Sequence, residues 1–455
     1  MLWRAPWLRH RLGLLIFAAW DALSLYISYN LTYLTRLGRW EGLSPGLGVV
    51  TIGWLSASYV IGRYSPAENG DRKGLAKELG LTLAAGSAVV AIFVGHSWVY
   101  QVTDAQTRFR GFLIPLVLSA CLLSMVGIVV QSQISEQKRQ WLLFGNEKER
   151  ETISRELKSE KRELQLRTLW TTTEQLSRHI AGACGTRIGL GVGVCQGEKT
   201  DVTDSLLELR EKGQQVIPLL NWCEQELQRI PPELVHREWL IQAEGFTLRP
   251  GSTSWRIKRC GDLLGASVLT VLTSPLVALA IILIWLEDRG PAFYGQTRSG
   301  LYGKPIRIWK LRSMRTNAEQ SGPQWAKKAD PRVTRVGKVL RATRIDELPQ
   351  LLSVISGDLS LIGPRPERPE IEEELEILIP NYRIRHWIRP GLSGWAQVCY
   401  PYVASLDDSR AKLSYDLYYI RNASLLLDVL ITMKTIRLVT RAQGAAPKEE
   451  KQNKA

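Results

Sequence analysis

The 455-residue sequence predicts a membrane-associated α/β protein built in three parts. An N-terminal four-helix transmembrane bundle comes first, over 1–132. A Rossmann-like α/β module follows over 133–250. A third domain, 251–443, carries a re-entrant membrane helix and amphipathic interfacial helices; 444–455 is polar and predicted disordered. Three observations predict this plan: long apolar runs flanked by basic residues, strand-like runs alternating with helical ones, and an apolar stretch broken at its middle by Ser274-Pro275.

A net charge of +15 and a pI near 9.6 call for an acidic partner. Sixteen tryptophans and the apolar runs favour lipid. No zinc-finger or RNA-binding motif occurs, so nucleic acid is not expected. The six cysteines are scattered without a CxxC pair, which argues against a zinc site or a disulfide framework.

The first apolar run extends past Ala19 to about Tyr33, longer than the core of a cleaved signal peptide, and is expected to stay as a span. Further runs lie at about 47–61, 81–99 and 111–130, the first of these being short for a bilayer. Arg4, Arg9 and Arg11 precede the first run. Arg63, Arg72, Lys73 and Lys77 separate the second from the third, and Lys138 and Arg139 follow the fourth. This bias places both ends of the bundle in the cytoplasm.

In the module, the segments 141–145, 187–194 and 215–220 look like strands, with a charged helix expected over 147–167. After the first strand comes Gly145-Asn-Glu-Lys, not GxGxxG, so no nucleotide site is expected there. Regulation or self-association is the reading left to it.

The third domain opens with Arg256, Lys258 and Arg259, then the apolar run 263–286. Pro275 removes one helix hydrogen bond, and the Ser274 hydroxyl is near enough to take the freed carbonyl. Basic clusters on both flanks resist a full span, so a helix–break–helix entering and leaving on the cytoplasmic face is expected. Near the end, 424–439 reads as an amphipathic interfacial helix.

The chemistry-bearing stretch is 341–357. Asp346 and Glu347 follow Arg341 and Arg344, just before a helix whose first turn tolerates Pro349 and whose stop is Gly357. Asp346 is expected at or near the N-cap, a place that favours a phosphate. Simple capping would place acids there too. A nearby turn adds weight to the phosphate reading: Gly363-Pro-Arg-Pro366 holds Arg365 between prolines, suited to a bidentate phosphate contact.

The region from about Trp255 to Arg441 resembles the bacterial sugar transferase family, the monotopic phosphoglycosyl transferases. The resemblance rests on Lys258-Arg-Cys-Gly-Asp262, Thr273-Ser-Pro275, Gly290-Pro-Ala-Phe-Tyr-Gly-Gln296, Lys310-Leu-Arg-Ser-Met314, Asp346-Glu347, Gly363-Pro-Arg-Pro366, Pro390-Gly-Leu-Ser-Gly-Trp-Ala-Gln397 and Tyr415-Asp-Leu-Tyr-Tyr419, in that order. Leu311 and Cys399 depart from the family pattern without touching the acid pair.

The resemblance implies transfer of a hexose 1-phosphate from a UDP-hexose to polyprenyl phosphate, releasing UMP, as the first membrane step of polysaccharide synthesis at the bacterial inner membrane. It implies Asp346 as covalent nucleophile and Glu347, with Asp346, as Mg²⁺ ligands. Arg341, Arg365, Lys310, Arg312, Gln397 and Asp416 are the expected phosphate and substrate contacts. Inner-membrane lipid and a second copy in a homodimer are the other expected partners. A glycosyltransferase releasing a nucleoside diphosphate, or an envelope scaffold without catalysis, are the alternatives.

Overall fold

A computed structural model describes residues 12–61, 63, 80–88, 90–91, 117–118, 120–123, 126, 140–143, 145–159, 169–170, 190–194, 206–207, 210–211, 215–315, 331–400 and 405–440. Most of the third and fourth apolar runs, the end of the helix expected over 147–167, most of the chain between the later module strands, and the tail 444–455 lie outside these residues. The chain divides into two compact units: 1–146 with 160–222, and 147–159 with 223–455.

In the first unit, helices α1 (Leu12–Leu37) and α2 (Pro45–Ile61) come from the first two apolar runs. Leu25, Tyr29, Leu47 and Trp54 share a core with Val117 and Cys121. Residues from separate predicted runs thus meet in one place. The opposite side of α1 is apolar as well, with Ile16, Leu23, Leu31 and Leu34 exposed. Among the buried residues the charge of Asp21 is matched by Arg63 and by the Trp54 Nε1, 3.1 Å away.

The same unit holds a four-stranded parallel sheet in the order β2-β1-β3-β4, formed by β1 (Gln140–Leu143), β2 (Leu169–Trp170), β3 (Leu190–Val194) and β4 (Gln215–Pro218). Three of these strands fall on the segments read as strands, 141–145, 187–194 and 215–220. The two-residue β2 has no such signal.

The second unit begins earlier than the boundary expected at 250. Helix α3 (Glu147–Ser159) belongs to it, as does everything from Cys223 onward. The reason is visible in the pairing. Buried Arg229 meets Glu156 at 2.7 Å, and its guanidinium lies over the Tyr415 ring. Ile230 N donates to Ser414 O, Trp395 Nε1 to Gln228 O, and Asn381 Nδ2 to Val235 O. The stretch 223–250 is thereby inlaid in the domain that follows. A core cut at 251 loses these partners.

Helix α4 (Thr253–Asp288) is the one helix among the described residues long and apolar enough to cross a membrane. Its 36 residues span roughly 54 Å at 1.5 Å per residue. The expected interruption at Ser274-Pro275 is not a break in the helix, which runs through Pro275. The physical reason is local. Pro275 has no N–H for Val271 O, and the Ser274 hydroxyl donates to that same carbonyl at 2.8 Å.

Both ends of α4 are fastened to one domain. Near its start, Asp262 accepts from Ser360 Oγ (2.8 Å) and Leu361 N (3.0 Å), and Arg259 donates to Val354 O and Ile355 O. Near its finish, Ala280 and Ile284 pack with Leu311 and Leu340. Between and around these points Leu264, Val268, Val271, Leu272, Leu276 and Leu279 are exposed.

The remaining elements are the hairpin β5 (Phe293–Ser299) and β6 (Pro305–Leu311), α5 (Arg335–Thr343), α6 (Gln350–Ser356), β7 (Ser360–Ile362), α7 (Pro369–Leu378), β8 (Gly391–Ser393), α8 (Trp395–Cys399), α9 (Leu406–Asn422) and α10 (Leu425–Thr440). β7 pairs in parallel with β8. α9 is the most buried helix and starts with a capping box of Ser405 and Asp408. α10 is two-faced: Leu427 and Ile431 are buried, whereas Leu425, Leu426, Val429, Ile436 and Val439 are exposed.

Replacing Glu156 by Ala strips buried Arg229 of its carboxylate. The expected cost is about 3 kcal/mol, read as a lowered denaturation midpoint of the full chain. A stability within error of the parent would show that α3 is not part of this unit's core.

Candidate active site

The acid pair is delivered by a tight change of direction. α5 ends at Arg344, whose φ of 57° is left-handed, an uncommon conformation for a residue with a Cβ. A single 3₁₀ turn, Ile345–Glu347, follows, and α6 starts after Pro349. Asp346 caps nothing, contrary to expectation. The backbone N–H groups of Glu347 and Leu348 bond Arg344 O and Ile345 O, so the turn satisfies itself without that side chain. The Asp346 carboxyl is left for chemistry: it is buried, and among the described residues no hydrogen bond or ion pair reaches it.

Glu347 is the opposite case. Its carboxylate meets Arg365 Nη2 at 2.6 Å, Lys310 Nζ at 3.2 Å and Arg344 Nη1 at 3.6 Å. Burial alone would raise its pKa, but Arg365, Lys310 and Arg344 together hold it well below the usual carboxylate range. For Asp346, burial and then the adjacent Glu347 charge push the carboxyl up to about 6, only partly offset by Lys310, Arg341 and Arg365. Two neighbouring acids are thus split into one that is always ionised and one that titrates near the working range. Burial lowers Lys310, with Glu347 opposing. Glu347 raises Arg365 above its ordinary value.

Each cation is placed by a separate element. Lys310 sits opposite Tyr294 on the hairpin, on the face shared with Ile308, which packs against Leu351 and Val354 of α6. Arg341 occupies the last turn of α5 and acts on Asp346 by charge; among the described residues its side chain has no ion-pair partner.

Arg365 depends on its turn, which is bolted from two sides. Gly363 N donates to Ser393 O, and Gly391 N to Pro364 O. A Cβ on Gly363 would lie 2.5 Å from Arg389 O, so this approach of β7 to β8 requires glycine. From the other side, Arg385 Nη2 donates to Arg365 O at 2.8 Å and Arg298 Nη1 to Pro366 O at 3.3 Å. Arg385 is in turn held by Glu372 (3.2 Å) and Asp416 (3.3 Å), while Glu367 pairs with Lys412.

The structure gathers Asp346, Glu347, Arg341, Arg365 and Lys310. It does not gather the others. Arg312 is clasped to Asp288 at the end of α4 rather than turned to the acids. Asp416 is buried behind Arg385 and supports the Arg365 turn indirectly. Gln397 lies on α8, its Nε2 donating to Leu392 O and its buried Oε1 without a partner among the described residues. Sequence reasoning missed Arg298 and Arg385. Arg298 stands two residues beyond the glycine-framed run 290–296 and could have been read with it, whereas Arg385 has no pattern to mark it.

A buried acid pair among cations, in a domain built on one long apolar helix, is the arrangement that comparisons with known proteins place in a family. The model of the bacterial sugar transferase family matches residues 253–442. A UDP-N-acetylgalactosamine-undecaprenyl-phosphate N-acetylgalactosaminephosphotransferase from Aeromonas hydrophila is 51% identical over 189 residues, 42% of this chain and 45% of the relative. A UDP-glucose:undecaprenyl-phosphate glucose-1-phosphate transferase from Caulobacter vibrioides is 43% identical over 198 residues, covering 42% of this chain and 74% of its own. An exopolysaccharide production protein from Rhizobium leguminosarum is 37% identical over 197 residues and is covered over 98% of its length. The chain belongs to the bacterial sugar transferase family. The match spans less than half of the Aeromonas relative.

An Asp346 that serves as nucleophile has to be ionised, so on that reading kcat/KM should fall on the acid side through a pH of about 6. Glu347→Gln removes the neighbouring charge and frees Arg365 and Lys310 toward Asp346, so its residual activity should show that limb moved to lower pH. An unmoved limb would separate it from Asp346.

Proposed function

We propose that this protein transfers a hexose 1-phosphate from a UDP-hexose to polyprenyl (undecaprenyl) phosphate, yielding polyprenyl-diphosphate-hexose and UMP, in polysaccharide synthesis. The observation that carries this reading is the split acid pair: a buried Asp346 carboxyl, unpartnered among the described residues, beside a Glu347 ringed by three cations. An Asp346 oxygen attacks the sugar-linked phosphorus, the bond to UMP breaks, and a phosphosugar ester remains on Asp346. The oxygen of polyprenyl phosphate then attacks the same phosphorus and releases Asp346 as carboxylate. Arg341, Arg365 and Lys310 neutralise the phosphate oxygens as charge moves across them. The names of the relatives support the substrate classes.

Mg²⁺ fits the donor set. Asp346 and Glu347 offer hard carboxylate oxygens, and no third acid forms a metal-ligating group with them among the described residues. One or two carboxylates plus substrate phosphates is the usual Mg²⁺ environment. Bound there, the ion would offset charge on the diphosphate.

The setting follows from the helices. A helix fastened at both ends to one domain supports entry and exit on a single face, so α4 is read as re-entrant, with the second unit at the cytoplasmic side of the inner membrane. α10 is read as lying in the interface. The first 132 residues are read as four spans, the parallel sheet as a Rossmann-like module serving regulation or homodimerisation.

Three outcomes test this. Asp346→Asn should abolish UMP release and leave no phosphosugar adduct by mass spectrometry, with a circular dichroism spectrum like the parent's. Activity should vanish in excess chelator and return with Mg²⁺. The assay panel should span UDP-glucose, UDP-galactose and UDP-N-acetylgalactosamine, since the relatives are named for both kinds of sugar. Release of UDP in place of UMP would mean glycosyl transfer instead. For topology, cysteines placed near Trp255 and near Gln296 in a cysteine-free background should both resist an impermeant reagent in intact cells. Labelling of the second alone would mean a full span.

A further inference from the structure

A second cluster of cations lies away from the acid pair, at the far end of α6. Gly357 ends that helix with φ at 100°, and its N–H bonds Ser353 O and Val354 O. A Cβ built there would stand 3.3 Å from Arg259 Nη2 and 3.8 Å from Arg389 Nη2. Two guanidinium groups therefore converge over bare backbone. Arg259 is fixed by its bonds to Val354 O and Ile355 O. Arg389 stacks on Trp255, with its Cζ 4.6 Å from the ring centroid.

Neither has an acid to neutralise it. Among the described residues no carboxylate oxygen lies within 4.0 Å of Arg389, and its guanidinium donates no hydrogen bond. The nearby acids are spent elsewhere: Asp262 on Ser360 Oγ and Leu361 N, Asp358 on Ser356 Oγ, Asp428 on Lys258. Burial, and then the like charge of Arg259, push Arg389 below its usual range; Asp262 and Asp358 only oppose this from a distance. Adjacent cations without a counterion make a place for an anion.

The surroundings narrow the anion. Trp255 and Arg259 are on the first turns of α4, just before exposed Leu263 and Leu264. Gly261 sits against Leu425, at the start of the apolar face of α10. Basic and aromatic residues bordering bare leucines are what a lipid headgroup region selects. A soluble phosphate would gain nothing from those leucines. Gly357 lies eleven positions beyond Asp346 along helix and turn, roughly 16 Å at helical rise, so the cluster is distinct from the acid pair.

We infer that Arg259, Arg389 and Trp255 form a second anion site, which takes the headgroup phosphate of an anionic phospholipid where α4 and α10 meet the membrane. The inference rests on reading those two helices as membrane-contacting.

The test uses the full chain in detergent, titrated with short-chain phosphatidylglycerol, with phosphatidylcholine of the same chains, and with inorganic phosphate. Thermal unfolding and native mass spectrometry provide the readouts. Phosphatidylglycerol should protect the parent, and Arg389→Gln should weaken its apparent affinity about tenfold, as expected for the loss of a charge-assisted contact, with Arg389→Lys between the two. Equal affinity in Arg389→Gln would overturn the site. Equal protection by phosphatidylcholine, or by inorganic phosphate at the same concentration, would overturn the assignment to an anionic lipid. UMP release is measured in parallel: normal release without Arg389-dependent lipid binding would sink this site and leave the proposed reaction standing.

Discussion

The ion cluster on Glu347 is the constraint that the rest of the second unit serves. Three cations from three elements converge on one carboxylate: Lys310 from the hairpin, Arg344 from the end of α5, Arg365 from the proline turn. Each would repel the others without it. With it they sit close enough to act on the next residue, Asp346, whose own carboxyl is left unpaired among the described residues. Glu347 therefore plays a structural part even before any substrate arrives. A phosphate entering the site would find the cations assembled, their mutual repulsion already offset.

Such a cluster tolerates little play, and the surrounding architecture supplies stiffness. Arg365 is held through the backbone of its turn, by β8 on one side and by Arg385 and Arg298 on the other. Arg385 in turn draws on Glu372 and Asp416, both buried. The guanidinium that touches the site is thus positioned by two others that do not. This arrangement places several buried charges behind the site, where each is acceptable only because its partner is present.

Much of the site was legible in the sequence because its chemistry lies in short local patterns. Adjacent acids after arginines, a proline-framed arginine and a serine before an intrahelical proline can each be read without knowing the fold. Ser274 shows both the reach and the limit of such reading. Its hydroxyl does take the carbonyl that Pro275 frees, yet that repair is also what keeps the helix from breaking there. The pairing of the other expected contacts was hidden for a common reason. Arg312 and Asp416 look like any other basic or acidic residue in a motif, and only tertiary pairing shows that Asp288 and Arg385 have claimed them. The boundary read at 250 does not show how residues 223–250 pack, for a similar reason. Composition changes there, but Arg229, Gln228 and Val235 answer to partners 140 or more residues away or to α3, which no local signal reveals.

The fastening of α4 at both ends makes it a ruler. At its finish Glu287 accepts from Arg335 N and so starts α5, while Asp288 clasps Arg312; at its start Lys258 and Asp262 lock onto Asp428 and Ser360. A helix turns about 100° per residue, so inserting or deleting one residue between these points would swing one end out of register with the other. The apolar side chains in between are free to drift in identity. Their number is not, because the count of residues in the exposed apolar stretch sets the rotation of the residues that orient α5, and through α5 the acid pair.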